Sequence, residues 1–394
     1  MMEIERSFNV AEIRQVDLGM ALGDLSVKAG GGDQIGLRAR LRSDDESELV
    51  TIVADGVLIV KNRSDNGWLV RNANRIDVAL TIPRDAAVVV TAKTGLGDVN
   101  VEGVPGLREV LTGKGDVSAV GGSSPLTIKT GKGDVAVRSW RGDLHVTTGK
   151  GDVAISDLTG GLQMITGAGD TAVERWQANG GGDHEIKTGS GDVALRDAQA
   201  QSLEVTTGRG DCVLRQVALR TLQAKTGYGN LTLEGDPLGG QWEVRTGKGD
   251  LALALSATAA ARVEAATRHG SVRSELPQVK VARPGPVSQH GLRTIVVIGD
   301  EPRAEIRLET NKGDISVRVA GVPSTAVAVA LERQPAAMGA ETLYAVRVEQ
   351  PVQPMLVAEK GSDKRSALTI LESLSRGEIS VDEAETLLRS LEQG

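Results

Sequence analysis

Nine aspartates recur along this chain at nearly constant intervals: Asp98, Asp116, Asp134, Asp152, Asp170, Asp192, Asp211, Asp250 and Asp314. Each closes a Thr-Gly-x-Gly-Asp motif or a near variant of it. A row of carboxylates supports two chemistries. It can hold a divalent cation such as calcium, with Asp98, Asp116, Asp134, Asp152 and Asp170 as the most regular run. It can also cap turns by accepting nearby backbone N–H groups. A hard cation wants about six to eight oxygens, and the residue between the two glycines is basic at Lys114, Lys132, Lys150, Arg209, Lys248 and Lys312. A row of cations beside the carboxylates competes with a metal. The motif also lacks the residue that separates the last Gly from Asp in calcium-binding β-rolls. Turn capping is the reading the residues favour, with lysines offsetting carboxylate repulsion at about 0–1 kcal/mol per exposed pair. A calcium ladder is the alternative.

Other reactive side chains are few. Cys212 is the single cysteine, which excludes an intramolecular disulfide framework. It stands where other copies carry an apolar residue, such as Val135, and reads as a buried thiol. His269 and His290 both precede Gly and read as loop residues rather than a two-His metal or acid–base site. Trp140 and Trp176 share one corner position with Val104, Leu158 and Val217, which makes them packing residues first and sugar-stacking platforms second. Arg-Gly-Asp occurs at 141–143 and 209–211, where the repeat itself demands Gly-Asp or a turn. A glycosidase would need two suitably spaced carboxylates in a groove walled by loops. The only expansions here, Asn179–Asp183 and Pro277–Gly291, hold no acid pair with a base and no phosphate cradle. No catalytic residue and no cofactor are expected.

The elements that carry these residues follow from the spacing. The motif threonines are Thr94, Thr112, Thr130, Thr148, Thr166, Thr188, Thr207, Thr226, Thr246 and Thr310; the first five lie 18 residues apart and the next four steps are 22, 19, 19 and 20. A degenerate copy, Thr267-Arg268-His269-Gly270-Ser271, follows Thr246 by 21 residues. A fixed period near 20 marks a repeat architecture. Before each Gly turn apolar residues alternate with polar ones, as in Leu126/Ile128/Thr130 against Thr127/Lys129, so the segment is a strand with one buried face. After the turn comes a second short strand, Val135-Ala136-Val137, echoed by Val153-Ala154-Ile155 and Val193-Ala194-Leu195. Each period is strand, Gly turn, strand, looser turn. Stacked at about 4.8 Å, ten or more such rungs give a rod of roughly 50–60 Å. With only seven aromatic residues and 49 glycines, the core must be built from Val, Leu, Ile and Ala in thin layers. The predicted fold is all-β: a parallel β-solenoid of about 18–22-residue rungs.

The expected organisation has four parts: residues 1–90 as irregular first rungs or a cap, 91–319 as the regular solenoid, 320–361 as a cap and linker, and 362–394 as a helical hairpin. Residues 1–20 and 320–360 are read as caps, which disfavours polymerisation through open ends. The Pro/Gly-rich stretch 277–291 reads as a looped-out rung. In the last segment Ala367, Ile370, Leu371 and Leu374 share one helix face, as do Ala384, Leu387, Leu388 and Leu391. Gly377 stops the first helix, and Ser380-Val381-Asp382-Glu383 is a capping box for the second. Two such short helices have no stable core alone, so Ile370, Leu371, Leu374, Leu387, Leu388 and Leu391 are expected to dock on the solenoid, on a second copy or on a protein partner.

The formal charge of −7 offers no reason to expect nucleic-acid binding. No apolar run is long enough to span a membrane, and Met1–Val10 shows no secretory signal, so a cytoplasmic address is the default expectation. The Thr-Gly-x-Gly-Asp repeats across about residues 90–319 resemble the bacterial putative-adhesin family of β-strand-repeat proteins, which includes envelope-stress proteins of the LiaX and YvlB type. The segment from Ile370-Leu371-Glu372 through Gly377-Glu378-Ile379-Ser380 to Glu383-Ala384-Glu385 and Leu388 resembles a SHOCT-like helical module. The resemblance implies a non-enzymatic scaffold or interaction protein, linked to the envelope or to adhesion, and it implies no catalytic residue. An ion- or glycan-binding surface is the rival reading, with sugar near Trp140 and Trp176. A bactofilin-like polymer or a carbohydrate-active β-helix enzyme stands further behind.

Overall fold

A computed structural model describes residues 2–63, 74–256, 259–275, 292–298 and 301–320. The described residues are all-β, with two single-turn 3-10 segments, Val10–Glu12 and Glu46–Glu48, as the only helical geometry among them. The expected helical hairpin at 362–394, and with it Ile370, Leu371, Leu374, Leu387, Leu388 and Leu391, lies outside the described residues.

Each central rung contributes two strands that face one another across a thin core. In one rung Leu126–Lys132 forms the first strand and Val135–Arg141 the second. First strands pair only with first strands, parallel and in register, so Thr112, Thr130, Thr148 and Thr166 fall in one column. Second strands do likewise through Val117, Val135, Val153 and Thr171. The alternation predicted from sequence decides what is buried: Leu126, Ile128 and Thr130 from one strand, Val135, Val137 and Trp140 from the other, all within the core. Two strands, Val193–Arg209 and Cys212–Tyr228, run unbroken around the second corner and join the two faces into one sheet.

The Gly-x-Gly turn is dictated by this stacking. At Gly133 φ is +145°, and a Cβ there would lie 2.0 Å from the carbonyl oxygen of Gly115 on the rung below. A Cβ on Gly131 would meet the Gly113 carbonyl oxygen at 2.6 Å. Positive φ excludes most side chains at the second glycine, and the close approach of neighbouring turns excludes them at both.

At both ends the order of stacking departs from the order of the chain. The rung made by Gln15–Leu22 and Leu25–Gly30 is an interior one: it lies between Val57–Asn62/Ile76–Pro83 and Val89–Leu96/Val99–Glu102. Reading residues 1–20 as a cap is therefore corrected: of these residues only Met2–Asn9 belongs to the antiparallel strands that cover this end. That strand pairs antiparallel with Gln34–Leu41, which in turn covers Ile76–Pro83, while Leu49–Ala54 covers Val57–Asn62. At the other end Ala304–Lys312 and Ile315–Val319 stack directly on Gln241–Lys248 and Leu251–Leu255. The earlier segment Ala261–His269/Val272–Ser274 lies beyond them, with Leu292–Ile298 antiparallel on Ala261–His269. Thr310, not Thr267, sits on Thr246. The order of the last two rungs is thus inverted relative to the chain; the stretch 277–291, read as a looped-out rung, lies outside the described residues. The reason is physical. Every copy offers the same hydrogen-bond register, so a later copy fills the slot as well as an earlier one.

Candidate functional site

The repeated polar groups converge on the edge formed by the Gly turns. There each aspartate Oδ1 accepts the backbone N–H of the corresponding residue one rung further on. Asp116 N–H donates to Asp98 Oδ1, Asp134 N–H to Asp116 and Asp152 N–H to Asp134, each at 2.8 Å. The ladder continues without a break through Asp170, Asp192, Asp211, Asn230, Asp250 and Asp314. It begins at Asp77, whose Oδ1 accepts from Asp24 N–H, and it ends where Ser271 N–H donates to Asp314. Arg75 clamps the first end by ion pairs to both Asp24 and Asp77. The inverted rungs take their spatial places in this ladder.

Inside the same turns the threonine hydroxyls do parallel work. Thr112 Oγ1 donates to the Gly97 carbonyl at 3.1 Å, Thr226 to Gly210 at 3.1 Å, and Thr310 to Gly249 at 3.1 Å. Thr166 is the exception among the described motif threonines, its buried Oγ1 having no partner. A turn that satisfies itself only through its neighbour makes the rungs mutually dependent.

Burial separates individual members of the ladder. Asp192 is half-buried, and desolvation, reinforced by the carboxylates of Asp170 and Asp211, raises its pKa against the lowering pull of the Asp211 amide. Asp314 is held low by the hydrogen bonds it accepts from Ser271, with Arg273 adding to the effect. Among the described residues no three Asp, Glu, His or Cys side chains form a group that could hold a metal ion. Within the proposed calcium run Asp98, Asp116, Asp134, Asp152 and Asp170 each give Oδ1 to a backbone amide, which leaves one oxygen apiece.

The residues between the glycines form their own column: Lys114, Lys132 and Lys150 in adjacent rungs, then Ala168, Ser190, Arg209, Tyr228, Lys248, Lys312 and His269. Lysine–aspartate pairing was expected to offset carboxylate repulsion here. None of Lys114, Lys132, Lys150, Arg209, Lys248 or Lys312 forms an ion pair with a described carboxylate. The carboxylates are anchored by backbone N–H groups instead. The ion pairs lie elsewhere on the surface, as between Arg175 and Asp157 in the second corner, where the guanidinium holds the Asp157 carboxyl below its usual range.

The tryptophans are interior. Trp140 and Trp176 are 0% and 1% exposed, in one column with Leu158, and their Nε1–H groups donate to the carbonyls of Ser124 and Gly160. A sugar-stacking role for them is overturned, because both ring faces lie in the core. Cys212 is buried as expected, and burial pushes its thiol up to about 12. Of the two Arg-Gly-Asp tripeptides, Asp143 accepts from Gly161 N–H and Asp211 from Asn230 N–H, so both serve the stack.

Sequence reasoning passed over His184. It is 4% exposed and takes the place of a leucine, with Leu162 on one neighbouring rung and Leu203 on the next. Its Nδ1 accepts from Leu162 N–H at 3.3 Å, its ring lies edge-on to Trp176 with centroids 5.0 Å apart, and its buried Nε2 has no hydrogen-bond partner. Burial lowers its pKa, opposed by the charges of Asp143 and Asp183. The alternation His184/Ile186/Thr188 carried the signal, but the 22-residue step around Asn179–Asp183 obscured it. His269 is exposed at a strand end, and His290 lies outside the described residues.

Parallel rungs, a continuous Asp/Asn ladder and inward threonines define a repeat β-solenoid whose turn residues hold one rung to the next. The sequence profile of the Toastrack DUF4097 family matches residues 13–318, and the chain belongs to that family. No curated protein matches it. Among solved structures it is similar to a "putative adhesin" from Bacteroides fragilis, at 12% identity over 81% of this chain and 97% of that one, with a TM-score of 0.26. A "putative adhesin" from Parabacteroides distasonis is similar at 12% identity over 80% and 97%, TM-score 0.29. A "putative lipid binding protein" from the same organism is similar at 11% identity over 81% and 96%, TM-score 0.33. Among the described residues no helix is long and apolar enough to cross a membrane.

Proposed function

We propose that this chain is a non-enzymatic interaction scaffold: a stiff solenoid that presents surface groups at fixed intervals. The ladder is the observation that carries the reading. The repeated Asp and Thr groups are spent on holding one rung to the next, and what is left facing solvent along the turns of the described residues is a periodic array of side chains. In this reading the segment 362–394 tethers the scaffold, with Ile370, Leu371, Leu374, Leu387, Leu388 and Leu391 as the docking face for a second copy or a protein partner. Its apolar spacing supports that role, as does its inability to form a core of its own. The resemblance of the repeats to the adhesin and envelope-stress group supports reading the scaffold as one that works in adhesion or at the envelope.

Light scattering coupled to size exclusion tests the tether on the full chain and on a chain ending at Gly361. A discrete oligomer that is lost on truncation is expected. An unchanged mass together with unchanged partners in pull-downs refutes the tether. Co-sedimentation of the full chain with bacterial envelope fragments tests the scaffold's surface role, and full recovery in the supernatant refutes it.

A further inference from the structure

The column of residues between the turn glycines is not uniform. From Arg209 onward five successive rungs carry Arg209, Tyr228, Lys248, Lys312 and His269, all exposed and in register. In a chain with seven aromatic residues, Tyr228 is the one exposed aromatic among the described residues, at 53% exposure. The Lys248 ammonium lies 4.9 Å from its ring centroid and orients it. Inversion of the rung order sets the sequence of its last two members. In chain order His269 would follow Lys248; in space Lys312 does.

The charges beside this column are thinned. Asn230 replaces the ladder carboxylate in the Tyr228 rung, and Ser271 replaces it in the His269 rung. Asp211, Asp250 and Asp314 remain, each with Oδ1 bound to a backbone amide. The segment therefore offers cations and an aromatic face at the turn apex, with hydrogen-bond acceptors just behind them. By contrast Lys114, Lys132 and Lys150 stand beside Asp116, Asp134 and Asp152 with no aromatic among them.

We propose that Arg209, Tyr228, Lys248, Lys312 and His269 form a binding site for an extended acidic polysaccharide of the polyuronate class, lying along the stack over about 19 Å. The proposal deepens the scaffold reading and rests on it. A sugar ring lays its C–H face on Tyr228. Its neighbours' carboxylates meet Arg209, Lys248 and Lys312, and its hydroxyls donate to the remaining Asp oxygens. Single-stranded DNA fits less well, because its phosphodiester backbone has no hydroxyl donors to offer the carboxylates of Asp211, Asp250 and Asp314, which a sugar chain supplies at every residue.

Affinity electrophoresis of the full chain in native gels tests the site, with mobility taken relative to a polymer-free gel. Polygalacturonate should retard the protein in a salt-sensitive way, and neutral dextran should not. Tyr228→Ser should weaken the apparent affinity about tenfold. The triple variant Arg209→Gln, Lys248→Gln, Lys312→Gln should abolish it. The charge-matched triple Lys114→Gln, Lys132→Gln, Lys150→Gln should change it less than about twofold, since those rungs lack the aromatic. No retardation by polygalacturonate overturns the site, and so does equal loss in the two triple variants. Stronger retardation by single-stranded DNA with the same residue dependence assigns the column to nucleic acid instead and also overturns it. Retained co-sedimentation with envelope fragments alongside a failed gel assay would sink the polysaccharide site alone; failure of both would sink the scaffold reading as well.

Discussion

Replacing Asp134 by Ala and by Asn separates the two roles a ladder carboxylate could have. Asp134 Oδ1 accepts the Asp152 amide at 2.8 Å, and both substitutions remove its charge. Adjacent carboxylates about 4.8 Å apart repel by about 0.9 kcal/mol in bulk water, less once salt screens them, and that relief is common to the two variants. Only Asn keeps a carbonyl oxygen in the Oδ1 position. The chain already contains this substitution: Asn230 accepts Asp250 N–H at 2.9 Å in an unbroken ladder. The difference between the variants therefore isolates one hydrogen bond to an exposed turn amide, about 1 kcal/mol. Hydrogen exchange at the Asp152 amide is the suitable assay, since stability in a repeat stack is local. Asp134→Asn should match or exceed the parent protein, and Asp134→Ala should exchange about fivefold faster. Equal loss in both variants would show that charge, and not the acceptor, holds the turn, and the capping account would be wrong.

Acid should act through His184. Its buried ring resists protonation, so below about pH 6.5 the unfolded chain binds more protons than the folded chain; stability then falls with pH, at most about 1.4 kcal/mol per unit, until the buried ring itself titrates. His184→Leu, which matches Leu162 and Leu203, should remove that slope between urea midpoints at pH 7.5 and pH 5; an unchanged slope refutes the assignment. The inverted rung order predicts that Arg245→Cys with Glu309→Cys, which face each other in register, will cross-link under mild oxidation. Arg245→Cys with Ala266→Cys should not, and the reverse pattern would restore chain order. Cys212, buried and with its thiol pushed up to about 12, should react with thiol reagents only as fast as the fold opens; rapid labelling of the folded protein would contradict its place in the core.

The residues themselves determined a great deal. Alternation of Leu126, Ile128 and Thr130 with polar neighbours fixes a strand with one buried face, and the 18-residue spacing repeats it. Two glycines around one residue specify a turn that only a stacked backbone explains. Cys212 and the corner tryptophans were legible as core because they share positions with Val and Leu. All of these are local patterns, and they survive in any single rung. The tertiary structure decided what depends on which copy meets which. It placed Thr310 on Thr246, sent Gln15–Gly30 to the interior, and handed each Asp its acceptor role toward the next rung's amide rather than toward a lysine. It buried His184 in a leucine column and brought Arg209, Tyr228, Lys248 and Lys312 into one line. Interchangeable repeats share one hydrogen-bond register, so the sequence specifies the rung and leaves the order of the end rungs to the connections and caps that close the stack.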